Sequence, residues 1–147
     1  MKIAIIGSGF FGITTALILS KKNEVDIYEK EKNILNGASF SNQFRFHLGY
    51  HYPRSQKTVN EINRSKKNFI SFFGKKVFEK TKNYYLIANN SKIKFNRYRK
   101  FLIKNELYYK IINSNYKSSF IEKTIISKEK ILNFFKIKKD ILKKLIN

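Results

Sequence analysis

The stretch that decides the fold runs from Lys2 to Glu29 and reads KIAIIGSGFFGITTALILSKKNEVDIYE. It begins with a short apolar, β-rich run that ends at Gly7, as is typical of a buried parallel strand. From Phe11 to Ser20 the residues are mostly apolar with helical spacing, and the cations that follow suit a helix C-terminus. Val25–Tyr28 has the composition of a second strand. The order strand, glycine turn, helix, strand within 30 residues predicts one right-handed βαβ unit.

The turn of this unit carries the pattern GxGxxG, with glycines at positions 7, 9 and 12. In a dinucleotide-binding turn the first glycine permits the tight bend, and the second lets the backbone approach a pyrophosphate. The third allows the helix to pack closely on the strand. The N–H groups and the dipole at the helix start then favour a diphosphate. The predicted cofactor-binding backbone therefore comprises Gly7, Ser8, Gly9, Phe10, Phe11 and Gly12.

An acidic residue, Glu29, ends the second strand 20 residues after Gly9. A carboxylate there can accept hydrogen bonds from the ribose of an adenosine, and it repels a 2′-phosphate, which disfavours NADP. Lys30 lies beside it and is included in the predicted nucleotide site. The structural alternative is a glycine-rich turn next to an exposed glutamate. The full strand, turn, helix, strand and acid pattern favours nucleotide binding.

FAD and NAD place their adenosine diphosphate on the same kind of βαβ unit, so the turn alone does not separate them. The segment from residue 37 to 55 reads GASFSNQFRFHLGYHYPRS. It resembles the stretch that follows the ribose-binding acid in FAD-dependent oxidoreductases of the D-amino-acid-oxidase-like (DAO) family. The resemblance covers residues 1 to about 60 well, and the Tyr84–Ala88 strand and the Glu129–Leu145 helix more loosely.

The resemblance implies FAD as the cofactor and a small amine, hydroxy acid or sugar-linked substrate that gives a hydride to the flavin. By the same resemblance, Gly7, Gly9, Gly12 and Glu29 would hold the ADP half. The path from the diphosphate to the flavin would be lined by Ala38, Ser39, Asn42 and Gln43.

Two histidines and two arginines are the candidate catalytic residues. His47 and His51 would lie near the isoalloxazine by the resemblance, or would only satisfy loop backbone. Arg45 and Arg54 could pair with a substrate carboxylate or phosphate, or could form surface ion pairs. No obligate acid or base is assigned. With no cysteine and only two histidines, a metal site would have to use carboxylates, and none is expected.

The net charge of +21 raises nucleic acid or an anionic surface as a partner. Of the 31 basic residues, 26 are lysine and five are arginine, whereas base readout favours arginine. A/T-rich codons would give the same excess of lysine, so nucleic acid is disfavoured. The alternative function is a basic binding module in residues 75–147, and a third possibility is a non-catalytic remnant. With no apolar run of about 18 residues and no signal peptide, the expected location is the cytoplasm.

The rest of the chain predicts mixed α and β elements. Residues 33–55 form a long functional loop. Ser55 caps a helix that ends at Phe73 with Gly74 in the αL conformation. Strands are predicted at Val77–Phe78, Tyr84–Ala88 and Phe120–Ile126, and a short helix at Phe95–Asn105. Ser127 is predicted to cap a final amphipathic helix.

The predicted fold class is therefore α/β, with a Rossmann-like FAD-binding βαβ unit in residues 1–60. Residues 61–147 would form part of an α+β substrate or cap region. A doubly wound cofactor site needs a strand on the far side of strand one, and none is identifiable. The sequence is therefore expected to be a truncated or split product, with a second chain as a candidate source of the missing strands. Alone it is expected to hold FAD weakly or not at all.

Overall fold

The computed structural model describes residues 1–113 and 118–146. Within these ranges lie four α-helices and seven strands. In chain order they are β1 Lys2–Ile6, α1 Phe10–Leu19, β2 Glu24–Tyr28, β3 Arg45–Phe46, α2 Gln56–Phe73, β4 Asn83–Ala88, α3 Phe95–Lys104, β5 Tyr109–Ile112, β6 Ile121–Ser127, β7 Lys130–Ile131 and α4 Phe134–Ile146. None of the described helices is long and apolar enough to cross a membrane.

The chain forms two compact units. Unit 1 comprises Met1–Phe44 and the segment that starts at Asn133, and unit 2 comprises Arg45–Leu132. This division differs from the predicted boundary at residue 60, because the C-terminal helix α4 packs with the first 44 residues. The predicted assignment of residues 1–60 to cofactor binding and of 61–147 to a substrate region stays a prediction.

Unit 1 contains the predicted βαβ unit. β1 and β2 are parallel neighbours with Lys2 opposite Glu24 and Ile6 opposite Tyr28. The ladder continues into the turn, where the N–H of Gly7 donates to the carbonyl of Tyr28 at 2.7 Å. The α1 helix then starts at Phe10, one residue before the predicted position.

The core of unit 1 is built on α1 and α4. Ile13, Ala16 and Leu17 are the buried residues of α1, spaced three and four residues apart along one helical face. Phe134, Ile137 and Ile141 are buried residues of α4 at the same spacing, and the two helices are in contact. At the start of α4 the ring of Phe134 stacks on Phe44 with 5.0 Å between centroids.

Unit 2 is built on a three-stranded antiparallel sheet in the order β4–β6–β5. The α3 helix buries Phe95, Tyr98 and Leu102, which form one cluster with Ile87 of β4 and Ile125 of β6. The β5 strand was not predicted. A second antiparallel pair joins β3 to β7, with Arg45 opposite Ile131.

The α2 helix begins and ends where the sequence predicts. The Ser55 hydroxyl accepts from the N–H of Thr58 at 3.3 Å, as an N-cap should. Gly74 has φ +75° but ψ 169°, so it ends the helix outside the αL region, which corrects that detail. The Val77–Phe78 strand is wrong: Lys75–Val77 is a 3₁₀ turn, and Phe78 makes a single bridge to Leu132.

The predicted start of the last helix at Ser127 is also wrong. Ser127 ends β6, β7 follows, and α4 begins only at Phe134. Ser127 stays in β6 because it pairs with Asn83 of β4, and β7 forms because it pairs with β3, a partner more than 80 residues earlier in the chain. Glu129, placed in the helix by the resemblance, therefore lies between two strands.

Candidate functional site

The three glycines of the turn differ in what their positions allow. Gly7 has φ +93°, a conformation that residues with a side chain rarely adopt. A Cβ on Gly12 would come within 3.0 Å of the carbonyl oxygen of Gly7, so α1 approaches the turn too closely for any side chain there. A Cβ on Gly9 would meet only the Ser39 hydroxyl, at 3.5 Å. The tight bend and the close helix packing are thus present at the positions predicted for them.

The predicted ribose-binding acid lies against the turn. One Glu29 carboxylate oxygen, Oε2, accepts from the Ser8 N–H at 2.7 Å and from the Ser8 hydroxyl at 2.6 Å. The other, Oε1, accepts from the N–H of Glu31 at 2.9 Å. The Ser8 hydroxyl, followed by the N–H groups of Glu31 and Ser8, lowers the pKa of Glu29 to about 2. At neutral pH Glu29 is therefore an anion that can only accept hydrogen bonds.

The loop after β2 also reaches the turn. The hydroxyl of Ser39 accepts from the N–H of Phe10 at 2.9 Å, at the first residue of α1. Asn42 folds back on its own loop, donating to the carbonyls of Ala38 and Ser39 and accepting from the N–H of Phe44. Other predicted positions, Lys30, Ala38 and Gln43, are exposed in unit 1. Ser39 thus joins the turn, whereas the polar atoms of Asn42 stabilise the loop.

These residues fit the ADP half of a dinucleotide. The glycine-lined bend leaves the backbone open at residue 9, and a helix N-terminus follows it. A carboxylate has about four acceptor sites, and Glu29 uses three of them, so Oε1 retains one for a ribose hydroxyl. The negative charge that suits this hydroxyl also repels a 2′-phosphate.

A second polar cluster lies wholly in unit 2, around a residue that the sequence analysis missed. Glu129 is a buried carboxylate. It accepts from the N–H of Leu48 at 2.9 Å and from the phenol of Tyr85, and it lies 3.7 Å from Nδ1 of His47. Burial alone would raise the pKa of Glu129, but the contacts with His47, Tyr85 and Leu48 outweigh it, so the pKa lies below its ordinary value.

Three of the predicted catalytic candidates belong to this cluster. The rings of His47 and His51 lie 5.1 Å apart, and Nη1 of Arg45 lies 3.1 Å from Nε2 of His51. The Arg45 guanidinium also lies over the ring of Tyr85, at 5.4 Å. Burial, together with the charges of His47 and Arg45, lowers the pKa of His51 against the opposing effect of Glu129. Because arginine can only donate, His51 Nε2 accepts from it, and His51 is neutral.

The fourth candidate, Arg54, borders a cleft in the same unit. The cleft has a volume of about 430 Å³, and its lining includes Tyr50, His51, Arg54, Tyr85, Lys92 and Tyr98. Among the described residues Arg54 forms no ion pair. Its side chain is therefore available to an anionic group of a ligand.

The side chains of His47, His51 and Glu129 have the types of a metal site, and their ligand atoms lie within 4.8 Å of one another. A cation there would face the Arg45 guanidinium next to His51, and Glu129 already accepts from Leu48 and Tyr85. The arrangement therefore suits a hydrogen-bonded cluster better than a metal site, and the expected absence of a metal stays a prediction.

Comparison with known proteins gives one family and several partial relatives. The family model of DAO, described as FAD dependent oxidoreductase, matches residues 2–112. FAD-dependent monooxygenase FPY4 of Fusarium mangiferae is 39% identical over 57 residues, which are 38% of this chain and 15% of that protein. FAD-dependent monooxygenase kojA of Aspergillus flavus is 37% identical over 59 residues, which are 40% and 14%.

Among solved structures, L-proline dehydrogenase from P. horikoshii matches 97% of this chain with a TM-score of 0.66 and 21% identity, and the match covers 41% of that chain. This likeness confirms the predicted fold class. The chain spans about one seventh of the length of the two curated relatives and less than half of the solved structure. The family match confirms the predicted resemblance and, with it, FAD as the cofactor.

Proposed function

The chain belongs to the DAO family of FAD-dependent oxidoreductases, and we propose that unit 1 binds the ADP half of FAD. We further propose that the whole protein transfers a hydride from a small-molecule substrate to the flavin. The observation that carries the proposal is the turn in which Gly12 packs against Gly7 while Glu29 lies beside Ser8. These contacts bring together the glycines and the acid that a dinucleotide needs.

Each part of the turn has a proposed role. The backbone from Gly7 to Gly12 would face the diphosphate, and the free acceptor site of Glu29 would take a ribose hydroxyl. Lys30, Ala38, Ser39, Asn42 and Gln43 would border the cofactor beyond the turn. The isoalloxazine itself, once bound, supplies the hydride-accepting chemistry.

The proposed substrate class is a small amine, hydroxy acid or sugar-linked compound. Support comes from unit 2, where the cleft beside His51 is lined by tyrosines and by the cations Arg54 and Lys92. Tyrosine rings give an apolar wall with a polar edge, and the two cations can pair with a carboxylate or phosphate of the substrate. Arg45 has a different role because its guanidinium contacts His51 and Tyr85.

We propose that additional strands, in a longer polypeptide or a second chain, complete the cofactor site. Parallel sheets are normally covered on both faces, and the described part of unit 1 pairs β1 only with β2. Ile6, at the end of β1, is 90% exposed and Phe11, in the first turn of α1, is 87% exposed. Large apolar side chains at this position suit a surface that further structure covers.

The test is an absorbance scan of protein that has been purified with excess FAD and then desalted. Retained flavin bands, followed by bleaching when an amine or hydroxy acid is added without oxygen, would support both cofactor and reaction. A Gly12→Ala variant should retain less flavin than a Gly37→Ala variant. Where the wild type retains flavin, equal retention by the two variants would contradict the assignment to the turn.

A second candidate function, polyanion binding, is favoured by one observation. Lys92, Lys94, Arg97 and Lys100 border a single shallow cavity in unit 2, around the start of α3. A cluster of cations can bind phosphates with a steep dependence on salt. Loss of retention on a heparin column at moderate salt would remove this candidate, and retention that depends on these four residues would support it.

A further inference from the structure

Glu129 and His47 are brought together by strand pairing. In the antiparallel β3–β7 ladder Arg45 lies opposite Ile131 and Phe46 lies opposite Lys130. His47 follows Phe46 and Glu129 precedes Lys130, so these two residues are the next position along each of the paired segments. The backbone carbonyl of Glu129 is fixed by the side-chain amide of Asn83 at 2.7 Å. The carboxylate is therefore held at a defined place beside the imidazole.

The buried ring nitrogen of His47 has an unusual environment. Nδ1 is buried and makes no hydrogen bond with the described residues, and Oε1 of Glu129 lies 3.7 Å away. The His47 side chain as a whole is 38% exposed. Because Nδ1 is buried, this exposure belongs to the other atoms of the side chain. A buried nitrogen that faces a carboxylate is stabilised when it carries a proton and is destabilised when it presents a lone pair.

We propose that Glu129 is a positioning residue that keeps the proton of neutral His47 on Nδ1 and leaves Nε2 as the acceptor. In a neutral imidazole the hydrogen bond or charge at one nitrogen decides which nitrogen carries the proton. The same arrangement, a carboxylate behind a histidine, fixes ring orientation and basicity in metal sites and hydrolases. Here the carboxylate of Glu129 comes just before β7, and the imidazole of His47 just after its partner strand β3.

The surrounding groups are consistent with this assignment. Glu129 remains ionised because its polar contacts lower its pKa despite burial. Of the other polar groups around it, Tyr85 donates to Oε2, and Arg45 is directed at His51. The rings of His51 and His47 lie edge to face, and Nδ1 of His47 has no hydrogen-bond partner among the described residues.

The catalytic role of His47 rests on the proposed function, whereas its tautomer does not. In an oxidation of an amine or hydroxyl, the lone pair of His47 Nε2 can accept the proton that the substrate nitrogen or oxygen loses. The tautomer itself is a property of unit 2 and can be measured without flavin or substrate. A wrong substrate class would therefore leave the tautomer unchanged, and a wrong tautomer would leave FAD binding unchanged.

The experiment is a long-range proton–nitrogen NMR spectrum of the full chain with ¹⁵N-labelled histidine, at a pH where both rings are neutral. The chain has only two histidines, so a His51→Asn variant assigns both patterns. We expect His47 with a protonated Nδ1 and an unprotonated Nε2. The opposite pattern, with the proton on Nε2, would overturn the proposal.

Two variants separate the carboxylate from the packing around it. Glu129→Met keeps the length of the side chain without an acceptor and should move the proton to Nε2. Tyr85→Phe removes the phenol that donates to Oε2 of Glu129 and should leave the proton on Nδ1. Retention of Nδ1–H in Glu129→Met, or its loss in Tyr85→Phe, would show that Glu129 does not set the tautomer. Where Glu129→Met fails to fold, the wild-type and Tyr85→Phe spectra decide.

Discussion

The carbonyl oxygen of Gly7 occupies the space into which a side chain on Gly12 would extend, with an ideal Cβ less than 3.0 Å from it. A Gly12→Ala substitution must therefore push α1 away from the turn. We expect a loss of about 1–3 kcal/mol in the free energy of unfolding, as for other overpacked sites. Urea unfolding followed by circular dichroism measures it.

The matched control for this substitution is Gly37→Ala. Gly37 has no heavy atom within 4 Å of an added Cβ, and its φ is not in the left-handed region. The urea midpoint for unfolding of the Gly37→Ala variant should equal or exceed that of the wild type. Equal losses in both variants would mean that the packing of α1 on the turn does not limit stability.

Glu29→Gln should weaken the binding of FAD about tenfold, since a hydrogen bond to a charged acceptor is replaced by one to a neutral amide. Glu31→Gln makes the same charge change at the exposed neighbour and should have little effect. Flavin fluorescence quenching measures both. A larger loss in the Glu31 variant would place the ribose elsewhere.

The contribution of Glu29 to binding should also be insensitive to mild acid. Because its pKa is lowered to about 2, Glu29 stays ionised as the pH falls from 8 to 4, and its contribution is lost only near the lowered pKa. The ratio of wild-type to Glu29→Gln affinity should thus be constant over that range. A ratio that falls toward one near pH 4.5 would contradict the lowered pKa.

Ser39→Ala removes the hydroxyl that accepts from the N–H of Phe10. The loss of a cap at a helix start costs about 1 kcal/mol, and thermal unfolding should report a destabilisation of that order. Ser41→Ala, in the same loop and exposed, is the control. If both substitutions have equal effects, the hydroxyl of Ser39 does not cap α1.

Unit 2 should lose stability as the pH falls below about 6.5. The lowered pKa of His51 means that the unfolded chain takes up its proton first, which favours unfolding in that window. The carboxyl of Glu129, with its pKa below 4.5, does not protonate there. A His51→Asn variant should show a smaller loss between pH 7 and pH 5. An unchanged slope would contradict the assignment to His51.

Much of unit 1 is predictable because its determinants are local. The turn glycines, the helix after them and Glu29 lie within 28 residues, and each has a steric or electrostatic reason visible in the sequence. The same holds for α2, where Ser55 and Gly74 mark both ends. The family resemblance adds FAD, which the residues of the turn could not distinguish from NAD.

Glu129 could not be predicted because its role depends on contacts with residues more than 40 positions away. In the sequence it is one acid in a lysine-rich segment with helical spacing, and only the pairing of β7 with β3 places it beside His47. One sequence signal could have indicated that Glu129 follows a strand and does not lie in a helix. The β-branched run Thr124–Ile126 precedes it and gives way to the polar residues Ser127 and Lys128. The β5 strand was missed for the same reason, since its pairing with β6 outweighs a weak local pattern.

The most direct test of the proposed cofactor site is an NMR titration of ¹⁵N-glycine-labelled protein with ADP. The chain has six glycines, three in the turn and two, Gly49 and Gly74, in unit 2. Binding at the turn predicts saturable shifts of Gly7, Gly9 and Gly12 with Gly49 and Gly74 unmoved, even where the affinity is weak. No shift at saturating ADP, or shifts as large at Gly49 and Gly74 as in the turn, would contradict a nucleotide site in unit 1.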